Sequence, residues 1–415
     1  MANRTLTADI IAAEAITILD NELVMAKRVF RGYEDDFSKK VNGYKVGETI
    51  SIRKPTDFTV RDGAVMNVQD VTEGKTTITV DKRKGIDFKF TSQDLTLNIA
   101  ELSERVIKPA MVQLANQVDT DVMALYADVP NWVGTPGQVV NSYADFAKAP
   151  ERLDEYAVPS ERSAVLSPQD HWGLLGSQTS LYIQDAAKGA YRKGSLGEIG
   201  GVDTYMSQNV PTHTTGSRSG SPLIDISITA STITYDQVKD TNQQTIHIDT
   251  LGGATQTIAA GDVFTIDGVY AVNPVTKAPL PFLKEFTVVE GATAVGSETD
   301  LVISPAMIWT GAFKNVDVQG VTDLNNQPVN FLGDASKNYR QNLVFHRNAF
   351  ALVTVPLVSP PGAVDVARKS YKGLNVRVIP VYDGVNDESA WRLDILYGTK
   401  AIDPRLATRL SGTGS

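Results

Sequence analysis

The 415-residue sequence predicts an α+β protein, and three observations lead to this fold class. Apolar residues recur at steps of three and four from Thr91 to Val129, which is the period of one buried helix face. Strand-like runs precede that helix, from Ile50 to Phe90. Beyond Thr214, short β runs follow one another between turn residues. The chain therefore combines one long helix with many strands.

The long helix begins with a recognisable start signal. Thr91 is a suitable N-cap residue, and Asp94 follows it at the spacing of a capping box. At about 1.5 Å per residue the helix would be roughly 55 Å long. A compact chain of this size has a radius of gyration of about 22 Å. Such a rod suits a flat, extended subunit, and Pro109 predicts a kink in it. The alternative is two ordinary helices broken at Pro109.

The segment before the long helix predicts an N-terminal helix and an arm of strands. Residues 5–28 have an amphipathic pattern that ends in basic residues. Asn42-Gly43 predicts a two-residue hairpin. The stretch TTITVDKRKGIDFKF predicts a long hairpin whose basic turn runs from Asp81 to Gly85. Ile86, Phe88 and Phe90 would face one side of it, and Asp87 and Lys89 the other. This arm buries too little to be stable alone, so we expect it to lie on another surface.

A change of composition marks an inserted segment. The stretch TTGSRSGSP, from Thr214 to Pro222, predicts a flexible linker. Short β runs follow it, and mixed helix and strand character returns near Asn342 to Val358. An all-β module between two mixed stretches is typical of a domain insertion. The C-terminal region predicts two strands joined by an acidic loop, with Trp391, Leu393, Ile395 and Tyr397 on one face.

Composition excludes several classes of protein. The chain has no cysteine, so it forms neither disulfides nor thiolate metal sites. We expect no membrane span and no signal peptide, because no long apolar stretch or basic start with an apolar core is present. The net charge of -9 argues against a protein that grips nucleic acid phosphates.

The search for catalytic and ligand-binding motifs is negative. No phosphate-binding loop or nucleophile elbow occurs. The glycine-rich stretch from Lys193 to Gly201 predicts turns rather than a nucleotide cradle. Asp119 and Asp121 would point to different sides of the long helix. The basic run Lys82-Arg83-Lys84 reads as solvated or paired with the acids of a neighbour. None of the four histidines has a partner at metal-ligand spacing, and we expect each to be structural: His171, His213, His247 and His346. We therefore predict no catalytic, cofactor or metal site, and no enzyme.

Several stretches together resemble the major capsid proteins of tailed bacteriophages, whose fold is named after phage Hong Kong 97. The order of parts matches: an N-terminal helical arm, an extended β arm, a long helix and a mixed region. Three stretches match in detail, namely IGGVDTYMSQNVPTHT, NLVFHRNAFALVTVPL and WRLDILYGTKAIDPRLATRL. The β insertion after Thr214 resembles the extra domain of the podophage branch of that family.

The resemblance implies a division of the chain into the parts of that fold. They would be an N-terminal arm (1–40), a peripheral-domain strand (41–51), an extended β arm or E-loop (52–90), the spine helix (91–129), the axial domain (130–217), the inserted β domain (218–340), the second part of the axial domain (341–370) and the C-terminal strands of the axial and peripheral domains (371–415).

The resemblance also implies a role and partners. The protein would assemble into the pentamers and hexamers of an icosahedral shell, with a scaffolding protein and a portal as partners. The shell would enclose double-stranded DNA without sequence-specific binding, and no membrane would take part. We expect the protein in the virion, after synthesis in the cytoplasm of the bacterial host. Some relatives crosslink a lysine to a neighbour's asparagine, but Lys75, Lys82 and Lys84 match no such site, and we expect no crosslink.

Two other classes remain open from the sequence. A non-viral compartment shell with the same fold is the nearer alternative, although such shells typically lack an inserted β domain. A carbohydrate-binding or hydrolytic β protein is the second, and it would need a cleft with paired carboxylates.

Overall fold

The computed structural model describes residues 8–33, 37, 40–41, 44–45, 48–66, 68–91, 103–178, 196–360 and 366–413. Its α-helices are α1 (Ala8–Glu22), α2 (Lys108–Met123), α3 (Tyr143–Glu155), α4 (Pro168–Gln178) and α5 (Tyr235–Val238). Tighter or wider helical turns occur at Ser103–Ile107 (π), Ala124–Asp128, Arg347–Ala349 and Pro404–Leu406 (all three 3₁₀). Among the described helices, none has the length and apolar character that crossing a lipid bilayer requires.

The strands in chain order are β1 (Lys40–Val41), β2 (Tyr44–Lys45), β3 (Thr49–Arg53), β4 (Lys75–Thr79), β5 (Lys82–Thr91), β6 (Trp132–Val133), β7 (Arg162–Leu166), β8 (Glu198–Ile199), β9 (Val202–Met206), β10 (Thr212–Thr214), β11 (Gly220–Ile224), β12 (Gln244–Leu251), β13 (Thr257–Ile258), β14 (Val263–Val272), β15 (Pro279–Val288), β16 (Ala292–Thr293), β17 (Thr299–Ser304), β18 (Val316–Val318), β19 (Val329–Phe331), β20 (Asn338–Arg340), β21 (Asn342–His346), β22 (Phe350–Thr354), β23 (Ala367–Tyr371), β24 (Leu374–Asp383), β25 (Glu388–Ala401) and β26 (Ala407–Leu410).

The chain divides into two compact units. The first unit comprises residues 1–51, 77–123 and 350–400, and the second comprises residues 52–76, 124–349 and 401–415. The boundary at residue 76 falls inside the segment that the sequence predicts as one arm, and the boundary at residue 123 falls inside the predicted long helix.

The first unit is built on a sheet with the order β22–β25–β24–β23, and β5 also pairs with β25. Helix α1 packs against α2 and against β23 and β24. It buries Ile11, Ala15 and Leu19, which recur every fourth residue. The acidic loop predicted between the two C-terminal strands is confirmed, because β24 and β25 form a hairpin around residues 384–387.

The long helix is regular over only part of its predicted range. Helical turns run without a break from Ser103 to Met123, so two helices broken at Pro109 do not describe this segment. The irregularity near Pro109 is instead a π turn directly before α2, a place where a missing backbone donor is tolerated. Regular α-helix ends at Met123 and not at Val129. The predicted start, residues 92–102, lies outside the described residues.

The buried stripe predicted for this helix is confirmed at Leu114, Val118 and Val122, whereas its members Val106, Ala110 and Leu125 are only half-buried. The N-terminal helix is shorter than predicted. Its α-helical part ends at Glu22, so Lys27 and Arg28 lie beyond its last turn.

The predicted hairpin between residues 76 and 90 is wrong. Strand β4 pairs with β3, and β5 pairs with β25 along its whole length. Only Val80 and Asp81 separate β4 from β5, so the supposed basic turn is the start of β5. The alternation along β5 is nevertheless as predicted, with Ile86, Phe88 and Phe90 half-buried and Asp87 and Lys89 exposed.

Opposite charges face each other where β5 pairs with β25. Arg83 binds the Asp394 carboxylate at 2.8 Å, and Lys89 binds Glu388 at 2.9 Å. Arg392 of β25 binds Asp87 at 3.1 Å. Opposite charges on facing strands stabilise a sheet. Strand β5 pairs with β25, which is distant in sequence, and not with β4 across a local turn.

The second unit contains a mixed sheet with the order β6–β26–β21–β7–β9–β8. The C-terminal strand β26 lies inside this sheet, antiparallel to β21 and parallel to β6. Helices α3 and α4 contribute Phe146, Leu153 and Leu174 to the core that includes Val344 and Leu410 of the sheet. In the first unit, Val41 pairs with Tyr44, but the turn predicted at Asn42-Gly43 itself lies outside the described residues.

The strands of the β region form an antiparallel barrel in the second unit. Strands β11, β12, β17, β15, β14 and β19 follow one another, and β18 also pairs with β14. A bridge between Leu223 and Pro328 and a 3.0 Å bond from the Ile224 N–H to the Gln327 carbonyl close the barrel between β19 and β11. The all-β character predicted beyond the linker is thus confirmed, and we call residues 220–331 the barrel. Its interior holds Ile246, Phe264 and Phe286, each fully buried.

Candidate assembly interface

The largest group of exposed apolar side chains lies on one loop of the second unit. We call residues 58–71 the apolar loop; Asn67 lies outside the described residues. Val60 is 97% and Val65 84% exposed, which is unusual for side chains of this kind. The other exposed apolar residues of the loop are Phe58, Met66, Val68 and Val71. Six exposed large apolar side chains on one short loop make it a candidate interaction site.

Polar bonds hold the apolar loop in shape. The Gln69 amide donates to the Thr59 carbonyl oxygen at 2.6 Å, and the Thr59 N–H donates to Gln69 Oε1 at 2.8 Å. This exchange imitates a pair of strand hydrogen bonds between the two legs of the loop. The Arg61 guanidinium donates to the carbonyl oxygens of Gly63 and Val65 at the tip. The backbone is therefore ordered by its own polar groups, while its apolar side chains remain in water.

A second exposed apolar group lies in the first unit, at the turn between β24 and β25. Val381, Tyr382 and Val385 are more than half exposed there. The Asp383 carboxylate accepts the Val385 N–H at 2.9 Å and an Asn386 amide N–H at 2.8 Å. The Val385 N–H, followed by the Asn386 side chain, lowers the pKa of Asp383. This turn is well defined, and it presents apolar side chains among acidic ones.

The histidines serve structural purposes where the structure gives them partners. His213 is buried, with its Nδ1 3.1 Å from the Tyr126 hydroxyl and its Nε2 2.8 Å from Asp262 Oδ1. His247 lies 2.7 Å from Asp300, and this hydrogen bond raises the pKa of His247. Burial lowers the pKa of His346, and the His171 ring meets Trp172 edge-on. Across the described ranges, no group of histidine and acidic residues is arranged to hold a metal ion.

Asp262 is a buried carboxylate whose surroundings compensate its charge. Burial acts to raise the pKa of Asp262, but the hydrogen bond from His213 and the charge of Arg218 hold it below its usual range. The backbone N–H groups of Ala259 and Gly216 donate to Oδ2 at 3.0 and 3.1 Å. This cluster joins the start of β14 to the chain that leads into the barrel.

Other buried charges link the barrel to the mixed sheet. Arg409 of β26 is fully buried and donates to the carbonyl oxygens of Val129 and Gly261 at 2.9 and 2.8 Å. Burial lowers its pKa to about 10. Glu285 of β15 accepts from Arg152 and from the Trp132 N–H, each at 3.0 Å. These buried residues could not be recognised from the sequence, because a single Arg or Glu in a strand looks like a surface residue.

The two aspartates of α2 have separate partners, as predicted. Asp119 is buried and accepts the backbone N–H groups of Val24 and Ala26 at 2.6 and 2.9 Å. Burial raises its pKa. Asp121 accepts the Tyr397 hydroxyl at 2.6 Å and lies 3.9 Å from Lys82.

The basic run was predicted to be solvated or paired with the acids of a neighbour. Lys82 and Arg83 instead lie next to acids of their own chain, Lys82 3.9 Å from Asp121 and Arg83 2.8 Å from Asp394. In the glycine-rich stretch, Gly200 and Gly201 form the tight turn between β8 and β9 with positive φ, as predicted; residues 193–195 lie outside the described residues.

The comparison with protein families is decisive. The family model described as "P22 coat protein - gene protein 5" matches residues 1–412. The chain belongs to this coat-protein family. It is therefore a phage major capsid protein that forms the head, a structural protein and not an enzyme. This agrees with the resemblance drawn from the sequence, and the alternatives of a non-viral shell or a hydrolytic β protein are not favoured.

Solved structures of phage capsids resemble the coat protein at low identity. A chain of Mycobacterium phage Che8 is 16% identical, with 95% of this chain and 92% of that chain covered and a TM-score of 0.48. The mature capsid of bacteriophage PhiM1 gives 13% identity, coverage of 88% and 82% and a TM-score of 0.39. The capsid of Ralstonia phage GP4 gives 10% identity, coverage of 88% and 84% and a TM-score of 0.40. A search of curated proteins gave no match.

In a coat protein, the apolar loop and the β24–β25 turn are candidate surfaces for contact with other copies. A capsid subunit assembles into a shell of many copies and lies in the virion, so part of its surface is covered by other copies. Apolar side chains that are exposed in the single chain are the surface for which such covering is favourable.

Proposed function

We propose that this coat protein assembles into the pentamers and hexamers of an icosahedral head by seating its apolar loop on the next copy. The observation that carries the proposal is the exposure of six large apolar side chains on residues 58–71. Burying such a side chain contributes about 1.5–3 kcal/mol. Head-to-tail contacts of this kind generate closed rings.

The charges of the segment do not add to this arrangement. Residues 51–90 carry eight basic and six acidic side chains, but Lys82, Arg83 and Lys89 belong to β5 and lie next to acids of their own chain. Residues 52–76 carry four basic and four acidic side chains, a net charge of zero. The proposal therefore rests on the burial of apolar side chains and not on electrostatic steering.

The remaining parts of the proposal come from the family resemblance. The parts of the chain would be those set out from the sequence, with residues 218–340 as an inserted domain of the podophage type. The pairing of β10 with β20 supports an insertion, because it brings the two ends of that segment side by side. A scaffolding protein and a portal would take part in assembly, and the head would enclose double-stranded DNA without sequence-specific contacts. Synthesis would take place in the host cytoplasm.

The test replaces apolar side chains of the loop by serine. The triple variant Val60→Ser, Val65→Ser, Met66→Ser should leave the stability of the subunit within about 0.5 kcal/mol, because these side chains contact little in the single chain. Its assembly, followed by light scattering and electron microscopy, should be lost or greatly slowed.

A matched control alters other exposed apolar residues of the second unit in the same way. The triple variant Met206→Ser, Ile226→Ser, Val295→Ser changes side chains that are also exposed but lie outside the loop and outside the turn that carries Lys277. It should assemble normally. Normal heads from the loop variant, or equal defects in both variants, would refute the docking role of the loop.

A further inference from the structure

The base of the arm is fastened to the barrel region at three points. We call residues 53–57 and 73–75 the arm root, and residues 235–240 together with Lys277 the clasp. The Lys75 N–H donates to Asp240 Oδ1 at 2.9 Å, and the Lys54 ammonium donates to the Lys239 carbonyl oxygen at 3.3 Å. Lys277 binds the Asp57 carboxylate at 3.2 Å. Both legs of the arm are therefore held, and by two separate turns of the barrel region.

The approach of the two segments is close enough to require glycine. Gly74 is buried, and a Cβ atom at this position would lie 2.5 Å from the Lys239 carbonyl oxygen and 2.9 Å from the Tyr235 hydroxyl. Both distances are shorter than van der Waals contact allows. The backbone of the arm root thus packs directly against the backbone of the clasp, which is a closer approach than a contact between surface side chains.

The clasp is itself rigid. Helix α5 is closed at its start by a reciprocal capping box between Thr234 and Gln237. Val238 is buried in a small apolar cluster with Ala306 and Ile308. The Tyr235 ring stacks on Phe313, with ring centroids 3.4 Å apart. A segment held in this way can fix the position of whatever is bound to it.

The turn that carries Lys277 is fixed as well. Asn273 Oδ1 accepts the N–H groups of Val275 and Thr276 at 2.9 and 3.0 Å. The Asn273 amide in turn donates to the Glu155 carbonyl oxygen at the end of α3, at 2.8 Å. Lys277 therefore projects from a turn with a defined backbone, and its ammonium reaches Asp57 from a fixed origin.

We propose that the clasp sets the direction of the arm, which makes the barrel a positioning element for assembly. The arm cannot set its own direction, because its apolar loop buries little within the chain. Between its two legs, the root has a 2.8 Å bond from the Lys54 N–H to the Gly74 carbonyl and an exposed pair of Arg53 with Glu73 at 3.1 Å. The contacts with the barrel region supply the remaining constraint on the direction of the arm. The effect of this constraint on assembly rests on the proposed docking of the apolar loop, whereas the constraint itself does not.

Hydrogen exchange on the unassembled, full-length subunit tests the constraint directly. Asp240→Ala removes the acceptor of the Lys75 N–H, and the amides of Lys54 and Lys75 should exchange at least about tenfold faster. Barrel amides of β12 should be unchanged. The control Asp236→Ala removes the same charge from the same helical turn, where Asp236 binds Lys239 Nζ at 2.7 Å but does not contact the arm. Equal exchange at the arm root in both variants would overturn the proposal.

A charge exchange provides the second test. Asp57→Lys and Lys277→Asp should each loosen the arm root and slow assembly, and the double variant should restore both. Absence of rescue in hydrogen exchange would show that this ion pair does not position the arm. If Asp240→Ala loosens the arm root but heads assemble at the normal rate, the proposal that the clasp constrains the arm stands, and the proposal that the arm docks on the next copy is refuted.

Discussion

Apolar side chains are buried in the barrel and exposed in the apolar loop, although both regions belong to the second unit. In the barrel, Phe264, Ile246 and Leu301 are fully buried and the strands close on themselves. In the loop, Val60 and Val65 are almost fully exposed and only polar bonds fix the backbone. The barrel buries its apolar side chains within one chain, whereas burial of the loop's apolar side chains requires another molecule. Mutations should therefore affect folding in the first region and assembly in the second.

The largest effect is expected in the barrel core. Phe264→Ala would remove a fully buried ring that contacts Phe286 and Phe331. The resulting cavity should lower the free energy of unfolding by about 3–5 kcal/mol, as measured by urea denaturation. Val295→Ala, at an 84% exposed site of the same region, is the control and should change it by less than about 0.5 kcal/mol. A small effect of Phe264→Ala would mean that this core is not closely packed.

The independence of the barrel can be tested by expressing residues 218–340 alone. The fragment should show a cooperative thermal transition and dispersed amide NMR signals, because its apolar core is internal. It should melt below the intact chain, since Lys284 and Glu285 lose the cover of Tyr156 and Arg152. A spectrum typical of a disordered chain would show that the barrel depends on the rest of the second unit.

A moderate effect is expected from the buried Lys284. Its ammonium lies 3.3 Å from the Tyr156 hydroxyl, and burial lowers its pKa to about 8. In the unfolded chain the amine stays protonated up to its ordinary pKa of about 10.4. Between these values the unfolded state binds more protons, so stability should rise with pH, by on the order of 1 kcal/mol per pH unit.

The variant Lys284→Met isolates this contribution. The difference in unfolding free energy between wild type and variant should shift in favour of wild type as the pH rises from about 8 to about 10. A difference that stays constant over this range would show that the Lys284 amine keeps its ordinary pKa, and so stays protonated, in the folded state.

The smallest effect on stability is expected in the loop. Gln69→Ala removes the side chain that joins the two legs, but its bonds are exposed, so unfolding should change by less than about 0.5 kcal/mol. Hydrogen exchange at Thr59 should nevertheless be faster, since its N–H loses the Gln69 acceptor. A large loss of stability would mean that the loop contributes to the folding core, against the contrast drawn above.

The sequence predicted best those features that depend on short-range periodicity. The buried face of α2, the alternation along β5 and the all-β region beyond Thr214 were all predicted and are all observed. Each follows from which residues recur on one side of a regular element. The family resemblance rests on the order of such elements, and this is why it could be drawn from one sequence.

Features that depend on distant partners were missed or mistaken. The turn residues before Gly85 favoured a local hairpin, but β5 pairs along its whole length with β25, a strand about 300 positions away. Arg409 gave no sign of burial, because its partners are backbone carbonyls that any sequence possesses. The apolar loop alternates like a strand, and only the structure shows that its side chains have no cover within the described chain.

The pairing of β10 with β20 has a consequence for how the chain folds. Thr214 and Asn338 face each other although they are 124 positions apart. Closing an unstructured loop of that length costs about 3 kcal/mol more entropy than closing a turn of four residues. Once the barrel has formed, its own ends already lie near each other, and most of that cost is gone. If the barrel folds first, the strands on either side of it are already close together, and they can pair by closing only short loops. The mixed sheet should therefore form faster in molecules whose barrel is intact.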